Sequence, residues 1–260
     1  METLFHHRSV RRYLSKPVDD VLLQKILEAG TRASNTGNMQ AYSIVVTKDA
    51  GLRRKLWEVH MHQDMVLQAP VVLTFCADVH RFSQWCEMSG ATPDYHNFLW
   101  LYTASIDAVL AAQNMALEAE YNGLGICFLG TTNYDPEGIV DLLALPRGVM
   151  PVTTVVLGWP DGLPGISDRL PLAAVVHNET YQDYTDDTLR VLYSRLEQSD
   201  ETARLLALNG KKQLAQIFTD LRYASEGNRA ASAACIRALR RQGFLPDAAG
   251  DYASSGDIQR

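Results

Sequence analysis

The sequence predicts an α+β domain, a sheet flanked by helices, that runs on into a helical extension. Helical periodicity and strand-like apolar runs alternate along the chain as far as residue 157. One helical stretch, residues 101–121, is Ala- and Leu-rich and holds neither Gly nor Pro. After Pro171 the strand signals fade and only helical patterns continue.

Taken in order, residues 18–33 set Val21, Leu22, Ile26, Leu27 and Ala33 at three- and four-residue spacing behind Asp19 and Asp20, which predicts an amphipathic helix ending near Ser34. Ser34-Asn35-Thr36-Gly37-Asn38 is rich in turn formers and feeds a first strand at 42–46. The runs 71–76 and 153–157 are β-branched and apolar on successive residues, as in strands covered on both faces, and 125–129 is a shorter run of that kind. Residues 101–121 are apolar around most of the circumference and predict a buried central helix. Asp135-Pro136-Glu137 has the form of a helix start. This gives a core over 1–184, a helical extension over 185–245 and a poorly ordered tail over 246–260.

A chain of 260 residues with 47% hydrophobic residues can build a substantial core. The net charge of −6 argues against non-specific binding to nucleic acid or anionic membrane, so any anion site must be local. Cys76, Cys86, Cys127 and Cys235 are scattered without a CxxC pair, which favours reduced thiols in a cytoplasmic protein. Neither a secretory signal nor a run of roughly 18 apolar residues is visible, so a soluble protein is expected.

The densest cationic segment is His6-His7-Arg8-Ser9-Val10-Arg11-Arg12. Arginine forks match phosphate oxygens and Ser adds a donor, so the cluster suits a terminal phosphate; a solvated basic turn beside Asp19 and Asp20 is the competing reading. The loop 34–40 offers hydroxyl, amide and backbone donors, with Gly37 permitting close backbone approach. Leu129-Gly130-Thr131-Thr132-Asn133 ends a predicted strand, where ligands of layered folds often sit. No GxGxxG or GxxxxGK[ST] motif occurs, so neither Rossmann nor P-loop nucleotide binding is supported. His60 and His62, with His80 and Cys76 downstream, make a poor metal set, because two residues on a helix diverge by about 200°; surface histidines are expected. Cys76 and Cys127 lie in apolar strand-like runs where burial makes a thiol inert.

Together, His7-Arg8-Ser9-Val10-Arg11, residues 34–40, Ala112-Gln113-Asn114 with Gly123-Leu124-Gly125, and Leu157-Gly158-Trp159-Pro160 through Asp168-Arg169-Leu170-Pro171 resemble the nitroreductase family. The resemblance is to its branch of larger, NADPH-preferring nitro and flavin reductases with a C-terminal helical extension. It implies FMN as cofactor, NADPH or NADH as electron donor, and a homodimer with FMN at the interface. By carry-over, His7, Arg8, Ser9 and Arg11 contact the FMN phosphate and ribityl chain, and Arg169 reaches the same phosphate. Asn35, Thr36, Gly37 and Met39 approach the flavin from the partner subunit. Gln63 faces the isoalloxazine or ribityl side, and Leu129, Gly130 and Thr131 lie along the ring. Ser167 stands where many relatives carry a basic residue and Asn133 where some carry an arginine, which implies either that Arg8 or Arg12 compensates or that FMN binds less tightly.

Such chemistry needs no catalytic residue of the protein, since FMN carries hydride and the chain supplies position and electrostatics in a ping-pong cycle. The acceptors implied are nitroaromatics, quinones or flavins. A flavin reductase or reductive dehalogenase of the same fold, and a flavin-binding protein without turnover, are the alternatives. Residues 211–245 carry a local excess of five positive charges, which points to Arg222, Lys211 or Lys212 as contacts for the pyridine nucleotide rather than for nucleic acid.

Overall fold

The computed structural model describes residues 2–246, so the tail expected over 246–260 lies, apart from Pro246, outside the described residues. Two compact units form: one from the described residues up to Gly165 and from Ala231 onward, the other from Ile166–Ala230. The boundary expected at residue 185 falls inside the second unit.

In chain order the first unit runs α1 (Asp20–Thr31), β1 (Tyr42–Thr47), α2 (Ala50–Val59), a single turn α3 (Met65–Gln68), β2 (Val71–Asp78), α4 (His80–Met88), α5 (Phe98–Tyr121), β3 (Gly125–Leu129), α6 (Pro136–Leu142) and β4 (Val149–Gly158). Capping follows the sequence: Asp19 accepts from the N–H groups of Val21 and Leu22, Asn97 from Trp100, and Asp135 from Gly138. Helix α4 had no counterpart in the sequence-based expectation.

The strands form one sheet in the order β1-β2-β4-β3, antiparallel throughout. Alternation along β2 explains its unbroken apolar run. Val71, Leu73 and Phe75 join Val155, Leu157 and Ile126 in a cluster with α1 and α5. Val72 joins Val156, Cys127 and Leu129 in another with Leu56, Met65 and Val66. Strand β4 begins earlier than expected because a register shift between Phe75 and Cys76 accommodates Pro151, which lies beyond the stretch where β4 pairs with β3.

Helix α5, expected as a buried central helix, is buried along one face. Ala104, Ala108, Ala111, Ala112, Ala116 and Ala119 are buried, and their small side chains allow close approach to the sheet. The other face leaves Leu99, Tyr102, Ile106 and Val109 exposed, at 67%, 62%, 45% and 45%. One chain supplies a covering layer on one side of this helix only.

The second unit holds α7 (Asp186–Glu197), α8 (Asp200–Asn209), a short α9 (Leu214–Gln216) continued by a π-helical turn (Ile217–Arg222), and the start of α10 (Ser225–Arg241). Thr185 and Ser199 cap α7 and α8, and Leu192, Leu214 and Ile217 are buried. The far end of α10 belongs to the first unit, where Ala238 and Phe244 pack with Ala41, Val79, Leu101 and Met150. There Gln242 Nε2 donates to the carbonyl of Pro146 at 3.0 Å, and Arg237 pairs with Glu137 at 3.1 Å. No helix among the described residues is long and apolar enough to cross a membrane.

Candidate functional site

The basic arm lies along the outer edge of β3. Val10 N–H donates to the Ile126 carbonyl at 2.9 Å, and Ser9 bridges Ile126 in parallel. Gly125 permits this approach, since a Cβ there would come within 2.7 Å of the Val10 side chain. Ser9 and Arg11, with Arg12 and Asp161, line a cavity of about 200 Å³. Arg8 lines another, of about 400 Å³, with His6 and Glu120. Its guanidinium donates to the Pro164 carbonyl at 3.2 Å. His7 Nδ1 sits 2.7 Å from Glu120 Oε1, and because an ionised carboxylate only accepts, Nδ1 carries the proton. Among the described residues Arg11 makes a single, long hydrogen bond, 3.5 Å to the Ser9 carbonyl, and the Ser9 hydroxyl has no hydrogen-bond partner. This pair therefore retains donor capacity toward an anion.

At the other end of β3, Leu129 is buried and the chain turns through Gly130–Asn133. From Ile126, opposite Ser9, to Gly130 is four residues, about 13 Å at the strand rise. Gly130 is exposed, and a Cβ there would meet nothing within 4 Å. Thr131 Oγ1 receives Gln63 Nε2 at 3.0 Å and lies 2.9 Å from His60 Nδ1. The family resemblance implied Gln63 and Thr131 separately, and the structure joins them. It also corrects His60, expected at the surface: helix α2 ends at Val59, Met61 and His62 take φ of 56° and 58°, and His60 is fully buried. Burial, opposed in part by the Asp135 charge, lowers the His60 imidazole to about 4 and keeps it neutral.

The loop carrying Asn35, Thr36, Gly37 and Met39 precedes β1, at the sheet edge opposite β3. Its turn depends on left-handed backbone at Gly37, Asn38 and Gln40, with φ of 55°, 56° and 50°. Asp107, buried in α5, accepts the Thr36 N–H at 3.0 Å and the Ala41 N–H at 3.3 Å. Asn35 Oδ1 accepts from Gln40 N–H at 3.1 Å. Asp107, Glu120 and His60 were missed from sequence. Asp107 did leave a signal, as a lone carboxylate in the middle of an apolar helix.

Arg169 lies in the second unit and donates to the carbonyls of Ser167 and Asp168 at 3.0 and 3.2 Å, while Asp168 pairs with Arg195 at 2.7 Å. Lys211 pairs with Asp220 at 2.8 Å, and the Arg222 guanidinium stands 5.5 Å from the Phe218 ring centroid. Cys76 and Cys127 are buried, with desolvation pushing Cys76 up to about 12 and raising Cys127. No group of three or more potential ligands that could hold a metal ion occurs among the described residues.

Residues 4–159 match the model of the nitroreductase family. The FMN reductase (NADPH) of Bacillus subtilis (strain 168) is 33% identical over 189 residues, covering 72% of this chain and 76% of that protein. The oxygen-insensitive NADPH nitroreductase of Salmonella typhimurium is 34% identical over 191 residues, covering 73% and 77%. A solved chain from Bacteroides fragilis NCTC 9343 superposes with a TM-score of 0.92 at 44% identity, over 94% of this chain and 100% of that one. The chain belongs to the nitroreductase family. Both named relatives use NADPH by their names, in line with the branch that the sequence resembles.

Proposed function

We infer that this chain is an FMN-dependent NAD(P)H oxidoreductase that reduces nitroaromatics, quinones or flavins, and that it works as a homodimer. One observation carries the placement of the cofactor: along β3, donors suited to phosphate stand at one end and a neutral, hydrogen-bonded turn at the other. The separation of about 13 Å at the strand rise suits a phosphate joined to a flat ring by a ribityl chain. The names of the relatives, FMN reductase (NADPH) and NADPH nitroreductase, support the same reading.

When bound, FMN supplies the ability to take hydride from NAD(P)H and pass electrons to an acceptor. Ser9 and Arg11 hold the phosphate by charge-assisted hydrogen bonds, with His7 and Arg8 beside them. Glu120 fixes the His7 ring by taking its Nδ1 proton in a hydrogen bond. Gln63, Leu129, Gly130 and Thr131 orient the ring, the last two through donors in a turn that needs no rearrangement. Asn35, Thr36, Gly37 and Met39 serve the partner's flavin, because in their own chain they precede the strand at the opposite sheet edge. The exposed apolar face of α5 is where the partner packs. Free thiols at all four cysteines favour a cytoplasmic setting.

The test is the absorption spectrum of the purified, FMN-loaded protein before and after anaerobic NADPH. Bleaching of the flavin band is expected. A bound flavin that NADPH leaves oxidised would mark a flavin-binding protein without turnover.

A further inference from the structure

His60 takes no part in the scheme above, yet it is a buried titratable group in contact with its ring end. Its Nδ1 lies 2.9 Å from Thr131 Oγ1, which also receives the Gln63 Nε2 proton at 3.0 Å. His60 Nε2 is buried and has no hydrogen-bond partner among the described residues. A neutral imidazole carries its proton on one nitrogen, and the choice is decided by which orphan costs more. A proton on Nε2 would be a buried N–H without an acceptor, the rarer and less tolerated defect, whereas a bare Nε2 leaves only an unused lone pair. The proton therefore sits on Nδ1 and is donated to Thr131.

This assignment fixes the threonine in turn. A hydroxyl oxygen has two acceptor positions and one proton. Gln63 and His60 fill both acceptor positions, so the Thr131 O–H must point to a third partner. Thr131 is half-buried and adjoins Gly130, which is exposed with open space where a side chain would be. Burial keeps the imidazole neutral to about pH 4, so the arrangement holds through the working range.

We propose that His60 is a positioning residue that, with Gln63, commits the Thr131 hydroxyl to act as an outward hydrogen-bond donor to the flavin ring. The inference rests on the proposed function and adds to it a polar donor tuned from the protein interior. A donor fixed against the ring strengthens binding and favours the extra negative charge that reduction brings.

The experiment compares Thr131→Val, His60→Leu, His60→Asn and the Thr131→Val/His60→Leu double variant in the FMN-loaded protein. Two quantities are read: the FMN dissociation constant, by flavin fluorescence, and the two-electron midpoint potential. His60→Asn places an amide N–H close to where Nδ1 stood and should resemble the wild type. Thr131→Val and His60→Leu should each weaken FMN by about tenfold, equivalent to about 1.4 kcal/mol, and lower the potential. Because they act on one donor, the double variant should be no worse than Thr131→Val alone. Additive losses, His60→Asn as damaging as His60→Leu, or His60→Leu with wild-type affinity and potential would each overturn the proposal. If His60→Leu does not fold, an unchanged potential and affinity in Thr131→Val overturns it without a His60 variant. A wild-type chain that binds no FMN would instead sink the proposed function, and this inference with it.

Discussion

The Asp107 carboxylate grips Thr36 twice, accepting its backbone N–H at 3.0 Å and its hydroxyl at 3.2 Å. A third bond, from Ala41 N–H at 3.3 Å, closes both ends of the 36–41 turn on one side chain of α5. The helix that would meet a second subunit is thus also the anchor of the loop that would reach the second subunit's flavin. Asp107→Ala leaves these donors without their acceptor and should cost about 3 kcal/mol, the range for losing hydrogen bonds to a buried charge. Urea denaturation monitors the loss, and a midpoint equal to wild type would remove Asp107 from this role. Asp107→Asn should fall between the two, since its oxygen still accepts while its NH₂ opposes the remaining donors.

Arg11 and Ser9 share a cavity, and the Arg11 guanidinium spends little of its donor capacity within the chain. Arg11→Ala should weaken FMN by roughly 1.5–3 kcal/mol while leaving riboflavin, which lacks the phosphate, almost unaffected. Titration of both ligands by fluorescence gives the comparison, and an equal loss for the two would argue for a structural role.

Most of the fold was legible because its signals are local. Strands β2 and β4 announced themselves by runs whose alternate residues bury on two faces. Asp19 and Asp135 sit at helix starts where their side chains can reach the first free N–H groups. What escaped was non-local. Nothing in the segment 60–62 says that left-handed backbone at Met61 and His62 ends α2 and leaves His60 inside. Glu120 could not be linked to His7 because their contact joins residues 113 positions apart. Which residues of α5 face the sheet and which stay exposed was not legible, since apolar residues are equally apolar whether a sheet or another subunit covers them.

That exposed face sets a further expectation. Leu99, Tyr102, Ile106 and Val109 recur at three- and four-residue spacing, forming a stripe along the helix. Ile106→Asp should convert a dimer to a monomer in sedimentation velocity and weaken FMN, because the loop of the partner would be lost. A wild-type monomer that still holds FMN tightly would refute the interfacial site.

His60 also gives stability a pH dependence of definite sign. In the unfolded chain it gains a proton near its ordinary value of 6.5, whereas burial in the folded chain delays this to about 4. Between these values the unfolded state binds more protons, so stability rises with pH across the window and is lost as pH falls through it. The full loss is on the order of 3 kcal/mol at one pKa unit per 1.36 kcal/mol. His60→Asn, which does not titrate, isolates the effect: the stability difference between wild type and variant should shift in the variant's favour from pH 6.5 to pH 4. A difference that stays constant would mean that His60 is hydrated when folded.

The last expectation concerns the pyridine nucleotide and narrows to Arg222 and Lys212. Residues 211–245 carry a local excess of five positive charges in a chain of net −6, which makes the segment an electrostatic guide for an anionic cofactor. Within the second unit, Lys211 is paired with Asp220 at 2.8 Å, so its charge is already matched. Arg222 instead rests its guanidinium 5.5 Å from the Phe218 ring centroid, and Phe218 in turn stacks on Tyr223. A cation held over an aromatic face keeps its N–H edge available, the geometry that suits a phosphate monoester such as the adenosine 2′-phosphate. Arg222→Ala should therefore raise KM for NADPH several-fold, with a smaller effect on NADH and none on FMN affinity. Lys211→Ala should do little, and Lys212→Ala should show an intermediate loss that shrinks as ionic strength rises. Equal kinetics with both nucleotides in all three variants would leave the segment as packing alone.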